Sequence, residues 1–439
     1  MINTDELLLF RNFKYEDTFK KMAWLINSYN AGETDAYPTE KLVKTMYECT
    51  NDIVEISMNM GFRGNLYHNF LTYIMVNSEN AFSVESEIRG KINGSITEIA
   101  LHDFAIMKEL YDFDIRLIDR QLGKTCLTFL TDYENETESS KYFNKRIRDR
   151  INELSERLAL AADEHEFEDI MAEFYGEFGV GKLGLHKAFR IGHDENDKVE
   201  ILPITSTEHV SLDDLVGYEL QKKKLIDNTE AFVSGKKANN VLLYGDAGTG
   251  KSSSIKAILN EYYDRGLRMI EVYKHQFKDL SQVIAQIKDR NYKFIIYMDD
   301  LSFEDFEIEY KYLKAIIEGG LEKKPDNVLI YATSNRRHLI REKYSDKEDR
   351  AEDLHTSDTV QEKLSLSARF GVSIYYIAPN KKEYNNIIKV LADRYNIKMD
   401  EEKLYLEANK WELSHGGLSG RTAQQFINYL LGQEKDMTE

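Results

Sequence analysis

Apolar residues recur every three or four positions through much of the first 175 residues. Phe19, Met22, Ala23, Leu25 and Ile26 share one helical face. Leu42, Val43 and Met46 share another, as do Ile53, Ile56 and Met60. Ile151, Leu154, Leu158, Leu160 and Ala161 repeat the pattern among charged neighbours. The spacing predicts a mostly α-helical domain over 1–175, with its many Tyr and Phe packed in the core rather than exposed as a nucleic-acid platform. Over 176–206 the pattern breaks. Gly176, Gly179, Gly181, Gly184 and Gly192, then the polar run His193–Lys198, predict a linker or ordered crossover.

From Asn239 short apolar runs alternate with helical ones. Strands are predicted at Val241–Tyr244, Arg268–Val272, Phe294–Met298, Val328–Ala332 and Val372–Ile377. Helices are predicted at Ser252–Tyr263, Phe277–Asp289 and Tyr310–Glu318. Such alternation builds a parallel sheet covered on both faces. The α/β domain is placed at 207–379. A small helical domain at 380–439 follows, with helices at Tyr384–Tyr395, Glu402–Ala408 and Thr422–Leu431.

Composition narrows the class. Of 439 residues, 42% are hydrophobic and 31% charged, which fits a globular chain rather than a disordered one. The net charge of −18 argues against generic binding to nucleic-acid phosphates. Cys49 and Cys126 alone make neither a disulfide framework nor a zinc site and suit a reducing cytoplasm. No secretory leader is expected, because Asp5, Glu6, Glu16 and Asp17 interrupt the first 20 residues. No apolar run approaches the roughly 18 residues of a membrane span.

One motif carries chemistry outright. Gly245, Asp246, Ala247, Gly248, Thr249, Gly250, Lys251 and Ser252 fit G-x-x-x-x-G-K-[ST], with Ser253 following. The motif sits between a predicted strand and a predicted helix. There glycines let backbone N–H groups converge on phosphate oxygens at a helix N-terminus. Lys251 would neutralise the β- and γ-phosphates of ATP, and Ser252 would ligate Mg²⁺. Gly123-Lys-Thr125 also reads GKT but lacks the upstream glycine, which is Ile118, and is given no nucleotide role. The strand Phe294–Met298 ends in Asp299 and Asp300 at the sheet edge where ligands bind. Asp299 is the candidate Mg²⁺ ligand and Asp300 the candidate water-orienting base. Asp is shorter than the Glu more usual there, so turnover is expected to be slow or assisted by Glu304. His165 lies in Asp163-Glu-His-Glu-Phe-Glu168, which lacks H-E-x-x-H spacing and is read as a solvated helix face.

These residues resemble AAA+ ATPases, and further landmarks then fall in order. Leu212-Asp-Asp-Leu-Val-Gly-Tyr218 is similar to the segment that packs on adenine, which implies base contacts from Val216 and Gly217. The same stretch also suits a helix start capped by Ser211. Val328-Leu-Ile-Tyr-Ala-Thr-Ser-Asn335 resembles a sensor-1 strand, with Asn335 holding water or the γ-phosphate. Leu366-Ser-Ala-Arg-Phe-Gly371 resembles the segment bearing an arginine finger. That implies Arg369 acting on a neighbour's ATP, with Arg336 and Arg337 as rivals. Gly417-Leu-Ser-Gly-Arg-Thr-Ala423 resembles sensor 2, with Arg421 touching the γ-phosphate in cis. Within the superfamily, the runs from about Gly176 to Leu431 are most similar to a bacterial group, domain-of-unknown-function family 815. That group's pattern has Asp where Ala368 stands, which bears on how Arg369 is held.

The expectation is therefore a Mg²⁺-dependent AAA+ ATPase, cytoplasmic and homo-oligomeric, acting on a protein more readily than on nucleic acid. A slow ATP-dependent switch is the second reading. A helicase-loader-like helper is the third, with Lys311, Lys314, Lys323 and Lys324 as a possible basic rim. A small-molecule kinase would not explain Asn335, Arg369 and Arg421 together. The polar segment Arg341–Glu362 is read as a solvated surface loop; because it joins Asn335 to Arg369, a partner that ordered it could also control hydrolysis.

Overall fold

The helical period of the N-terminal region is realised as a unit of packed helices, Met1–His186, distinct from a second unit, Lys187–Glu439. The computed structural model describes residues 2–31, 37–134, 144–205, 207–303, 309–318, 325–336, 339 and 366–434. Glu304, Lys323, Lys324, Arg337 and the segment Arg341–Glu362 lie outside the described residues.

The first unit contains α1 (Glu16–Ala31), α2 (Thr39–Met60), α3 (Leu66–Asn77), α4 (Ala81–Arg89), α5 (Ser95–Asp112), α6 (Arg116–Leu122), α7 (Lys145–Leu160), α8 (Glu164–Phe178) and α9 (Gly181–Leu185). Side-chain oxygens of Asn65, Asn80, Asn144 and Asp163 accept first-turn N–H groups of α3, α4, α7 and α8. Gly123 of the GKT triplet closes α6 in the left-handed conformation, so that triplet ends a helix instead of starting one. Aromatic residues fill the core as expected. Phe104 meets Phe10, Phe82 and Phe167 at ring separations of 5.6, 5.5 and 5.7 Å. The buried carboxylate of Asp103 accepts the backbone N–H groups of Leu8, Leu9 and Phe10, fastening the N-terminal segment to α5. One expectation is corrected here. His165 is exposed, but Glu168 on the same helix is buried, because α8 turns that position toward the core with Phe167 and Met171.

The second unit is built on strands β1 (Ala188–His193), β2 (Val199–Pro203), β3 (Val241–Gly245), β4 (Leu267–Glu271), β5 (Lys293–Met298), β6 (Val328–Ser334) and β7 (Val372–Tyr376). Among the described residues they form one sheet in the order β2-β1-β4-β5-β6-β3-β7. All neighbours are parallel except β2, which pairs antiparallel with β1. Helices α10 (Glu219–Val233), α11 (Lys251–Tyr262), α12 (Leu280–Ile287) and α13 (Glu309–Glu318) accompany the sheet. A three-helix domain follows: α14 (Lys381–Arg394), α15 (Glu401–Ser414) and α16 (Gly420–Glu434). Tyr384, Ile388, Leu404, Ala423, Phe426 and Ile427 form its core. The fold class is the expected one in its α/β sheet followed by a small helical domain, the lid, and a mostly helical N-terminal unit precedes them in the chain.

Residues 176–206, expected to be a linker or an ordered crossover, carry ordered elements. Gly176 lies inside α8, Gly181 and Gly184 lie in α9, and 188–203 form a hairpin that extends the sheet. Phe189 and Ile191 alternate inward on β1, as Val199 and Ile201 do on β2. Of the polar run His193–Lys198, His193 ends β1 and the rest is the hairpin turn, with Asp197 left-handed at φ 60°. No helix among the described residues is long and apolar enough to cross a membrane.

Candidate active site

The glycine-rich loop of the G-x-x-x-x-G-K-[ST] motif leaves β3 at Gly245 and enters α11 at Lys251. Gly245 has φ 134°, and a Cβ there would sit 1.9 Å from the carbonyl oxygen of Tyr376 on β7. Only glycine lets the loop start this close to its neighbouring strand. Asp246 then fastens the loop, its backbone N–H donating to Tyr376 O at 2.9 Å and its carboxylate accepting the Ala378 N–H at 2.7 Å.

Lys251 is buried, and its ammonium donates to the carbonyls of Gly245 (2.9 Å) and Asp246 (2.6 Å) and to Asn335 Oδ1 (3.1 Å). Burial pulls its pKa below the usual lysine value, against the attraction of Asp246, Asp300 and Asp299. Asn335 continues the chain, donating through Nδ2 to Asp300 Oδ1 at 2.8 Å. Asp300 is itself unusual, with φ 50°. A non-glycine residue in this left-handed conformation is held there by its surroundings. Its backbone N–H donates to Thr333 Oγ1 at 2.9 Å.

Asp299 joins the loop to the sheet. Its Oδ1 accepts from Ser252 Oγ at 2.7 Å and from Thr333 Oγ1 at 2.6 Å. Burial pushes its carboxyl up, but these hydrogen bonds outweigh burial and hold it below the usual carboxylate range. It is therefore an anion at neutral pH.

A cavity of about 1020 Å³ opens over these residues. Ala247, Gly248, Thr249, Gly250, Lys251, Ser252 and Ser253 line its loop side, and Asp299, Asp300, Thr333 and Asn335 its sheet side. From the lid come Ile387 and Leu391 of α14, Tyr395 just past its end, and Arg421, Gln424, Gln425 and Asn428 of α16. The N-terminus of α16 abuts the loop, with Arg421 N–H donating to Gly248 O at 3.2 Å. The segment before α10 closes another wall with His209, Val210, Leu215 and Val216. Asn260 of α11 holds that segment by donating to Val210 O at 2.7 Å. Arg394 of α14 holds it from the lid, donating to Asp213 O at 2.9 Å and Asp214 Oδ1 at 3.1 Å.

The family model described as Protein of unknown function (DUF815) matches residues 184–434, more than half of the chain. The chain belongs to the DUF815 family. The match begins just before β1 and ends with α16, so it takes in the hairpin, the sheet and the lid of this DUF815 chain. No curated protein matches the sequence. Among solved structures, the chain is similar to the RuvB Holliday junction branch migration motor of Thermotoga maritima, at 18% identity and a TM-score of 0.36. That match covers 50% of this chain and 63% of the motor, so the chain spans less than two thirds of the motor's length. It is also similar to the FIGL-1 AAA domain in complex with ADP, at 15% identity and a TM-score of 0.37, covering 53% of this chain and 77% of that domain.

Most residues singled out from the DUF815 chain's sequence converge on the cavity, and some do not. Val216 lines it, but Gly217 does not; it forms the turn (φ 82°) that leads into Tyr218. Gly245 and Asp246 lie beneath the lining as partners of Lys251. Arg369 stands on a short helical turn before β7 and is not among the lining residues, and Arg336 is exposed after β6. Sequence reasoning missed Thr333, which binds both members of the acidic pair. Its signal was its place two residues before Asn335 on a fully buried strand. It also missed Arg394 and the lid residues other than Arg421, because nothing local in α14 or α16 distinguishes a cavity-facing side chain from a solvated one.

Proposed function

We propose that this DUF815 chain is an AAA+ ATPase. It binds ATP with Mg²⁺ and hydrolyses it at sites completed between subunits of a homo-oligomer. In doing so it remodels or regulates a macromolecular target, a protein rather than a nucleic acid. One observation carries the reading. Ser252 of the loop and Asp299 of the sheet meet at 2.7 Å inside the cavity that also gathers Lys251, Asn335 and Arg421.

The donors suit the metal. A serine hydroxyl and an ionised carboxylate are hard oxygen ligands, and Mg²⁺ takes one or two such groups together with substrate phosphates and water. Bound there, the ion would neutralise charge on the β- and γ-phosphates. The chain's own residues supply the rest. Lys251 exchanges its carbonyl partners for phosphate oxygens, and the N–H groups at the start of α11 face the same charge. Asn335 and Asp300 hold the attacking water, with Asp300 taking its proton. Arg421 meets the γ-phosphate in cis. Arg369, away from its own cavity, reaches a neighbour's site and stabilises charge in the transition state. The net charge of −18 supports a protein target.

A specific observation favours a second reading, a slow ATP-dependent switch that recruits a partner. The short carboxylate of Asp300 is tied to Asn335 in a left-handed backbone, which restrains its reach toward water. Phosphate release measured against protein concentration separates the two, with Arg369→Ala alongside. The motor reading expects activity per chain to rise with concentration in the wild type and to be lost in the variant. Tight ATP binding with negligible turnover at every concentration would reject it in favour of the switch.

A further inference from the structure

Strand β5 sets Ile295 and Tyr297 on the face that packs against α11, in one core with Ile255, Ile258 and Leu259. Asp299, next in that alternation, meets Ser252 in the first turn of α11 at 2.7 Å. Tyr297 thus lies beside the Ser252–Asp299 pair, inside the protein and not among the residues that line the cavity. It is 3% exposed, and its hydroxyl completes no hydrogen bond. Two other buried tyrosines of the same core differ. The Tyr331 hydroxyl is bonded to Thr229 Oγ1 at 2.8 Å and accepts from Asn228 Nδ2 at 3.1 Å, and the Tyr376 hydroxyl is bonded to Ser254 Oγ at 2.9 Å.

A buried hydroxyl without a partner is costly, and a phenylalanine would fill the same space without that cost. The hydroxyl of Tyr297 is close to both members of the pair without completing a bond to either. Burial drives its pKa up, and the Asp299 charge drives it further. It therefore remains protonated, and a donor, at neutral pH. Asp299 has room for it. Its Oδ1 already accepts from Ser252 and Thr333, two donors for two lone pairs. That leaves Oδ2 for a cation and one further donor. Ser252 can ligate through its oxygen while still donating to Oδ1.

We propose that Tyr297 is a positioning residue of the metal site, its hydroxyl donating to Asp299 Oδ2 when a divalent cation is held there and so fixing the carboxylate toward the ion. The inference rests on the Mg²⁺-nucleotide reading above and adds a residue to it. A carboxylate that ligates a metal is itself hydrogen-bonded, and loss of such an outer partner weakens metal binding by about 10–100-fold. Thr333 supplies one such bond from β6. Tyr297 supplies the other from β5, two residues before the carboxylate it holds. With one oxygen tied to each, the carboxylate no longer turns about its own bond.

The test is binding of a non-hydrolysable fluorescent ATP analogue to the full chain, in excess Mg²⁺ and in EDTA. Wild type, Tyr297→Phe and Tyr331→Phe are compared, and each is also melted in EDTA without nucleotide. The ratio of the two affinities reads the contribution of the metal. Tyr297→Phe is expected to lower that ratio by about tenfold or more, to keep the affinity in EDTA, and to melt no lower than wild type. Tyr331→Phe, which removes a bonded hydroxyl, is expected to melt lower and to keep the ratio. An unchanged ratio in Tyr297→Phe overturns the proposal and leaves the nucleotide reading standing. So does a Tyr297→Phe chain that melts below wild type or fails to fold, since the hydroxyl then serves the fold itself. A wild type that binds the analogue equally with and without Mg²⁺, or not at all, overturns the metal reading and this inference with it.

Discussion

The two units use buried polar groups in opposite ways. In the helical unit such groups turn inward on the structure itself. Asp103 gathers the N–H groups of Leu8, Leu9 and Phe10, and Asp119 accepts both the N–H and the hydroxyl of Thr128. In the α/β unit they face open space: buried Lys251 bonds Asn335, and buried Thr333 bonds Asp299, both partners being exposed at the wall of a cavity. Buried charge in the first unit closes a fold. In the second, the charged groups are gathered at a sheet edge open to a cavity, where under the proposed function a charged ligand replaces the internal partners. A polar cluster is informative about function when its partners are exchangeable and the cluster is accessible.

Removing the proposed base should sharpen this contrast most. Asp300→Ala is expected to lower the rate of ATP hydrolysis by about 10²–10⁴-fold, with ATP affinity held by Lys251 and the loop. Single-turnover kinetics beside equilibrium binding would show the split. A change on the packing side comes next. Phe104→Ala removes a fully buried ring touching three others. It should cost the helical unit about 3–5 kcal/mol, read from its own transition in denaturant, while the ATP affinity of the α/β unit stays as it was.

A subtler effect concerns pH. Burial, with Asp169 beside it, pushes the Glu168 carboxyl up to about 7 from its ordinary 4.5. The folded form then holds a proton that the unfolded chain releases, so this group's contribution falls as pH rises between those two values and is flat above them. Glu168→Gln should remove that part of the slope in stability measured from pH 4.5 to 8. The smallest effect is expected at the lid. Arg394→Ala breaks a part-exposed contact with Asp213 and Asp214. A loss of at most about 1 kcal/mol, seen as a few-fold rise in KM with kcat little changed, is anticipated.

What was legible in the sequence follows the same divide. The loop Gly245–Ser252, the acidic end of β5 and the polar end of β6 could be read because each couples a chemical need to a fixed place on a strand. The hairpin β1–β2 could not. The glycines before it, Gly192 within it and its polar turn look like a linker or crossover until Phe189, Ile191, Val199 and Ile201 are seen on one face. Thr333 was hidden as one more residue of a buried strand, since only the third dimension brings it against Asp299. The lid side of the cavity was half visible: Arg421 through its motif, Gln424 and Asn428 only once the helix was placed over the cavity. In the helical unit spacing foretold the packing but not the part played by its buried Asp103 and Asp119, which hold backbone and hydroxyl donors of the fold.

The most direct test of the central claim is steady-state phosphate release from ATP in the presence of Mg²⁺ by the full chain and by Lys251→Ala, at protein concentrations high enough for subunits to associate. The account predicts Mg²⁺-dependent turnover in the wild type and its loss in the variant, with the fold of the variant intact by circular dichroism. Equal activity in the two, or activity indifferent to Mg²⁺, would contradict it.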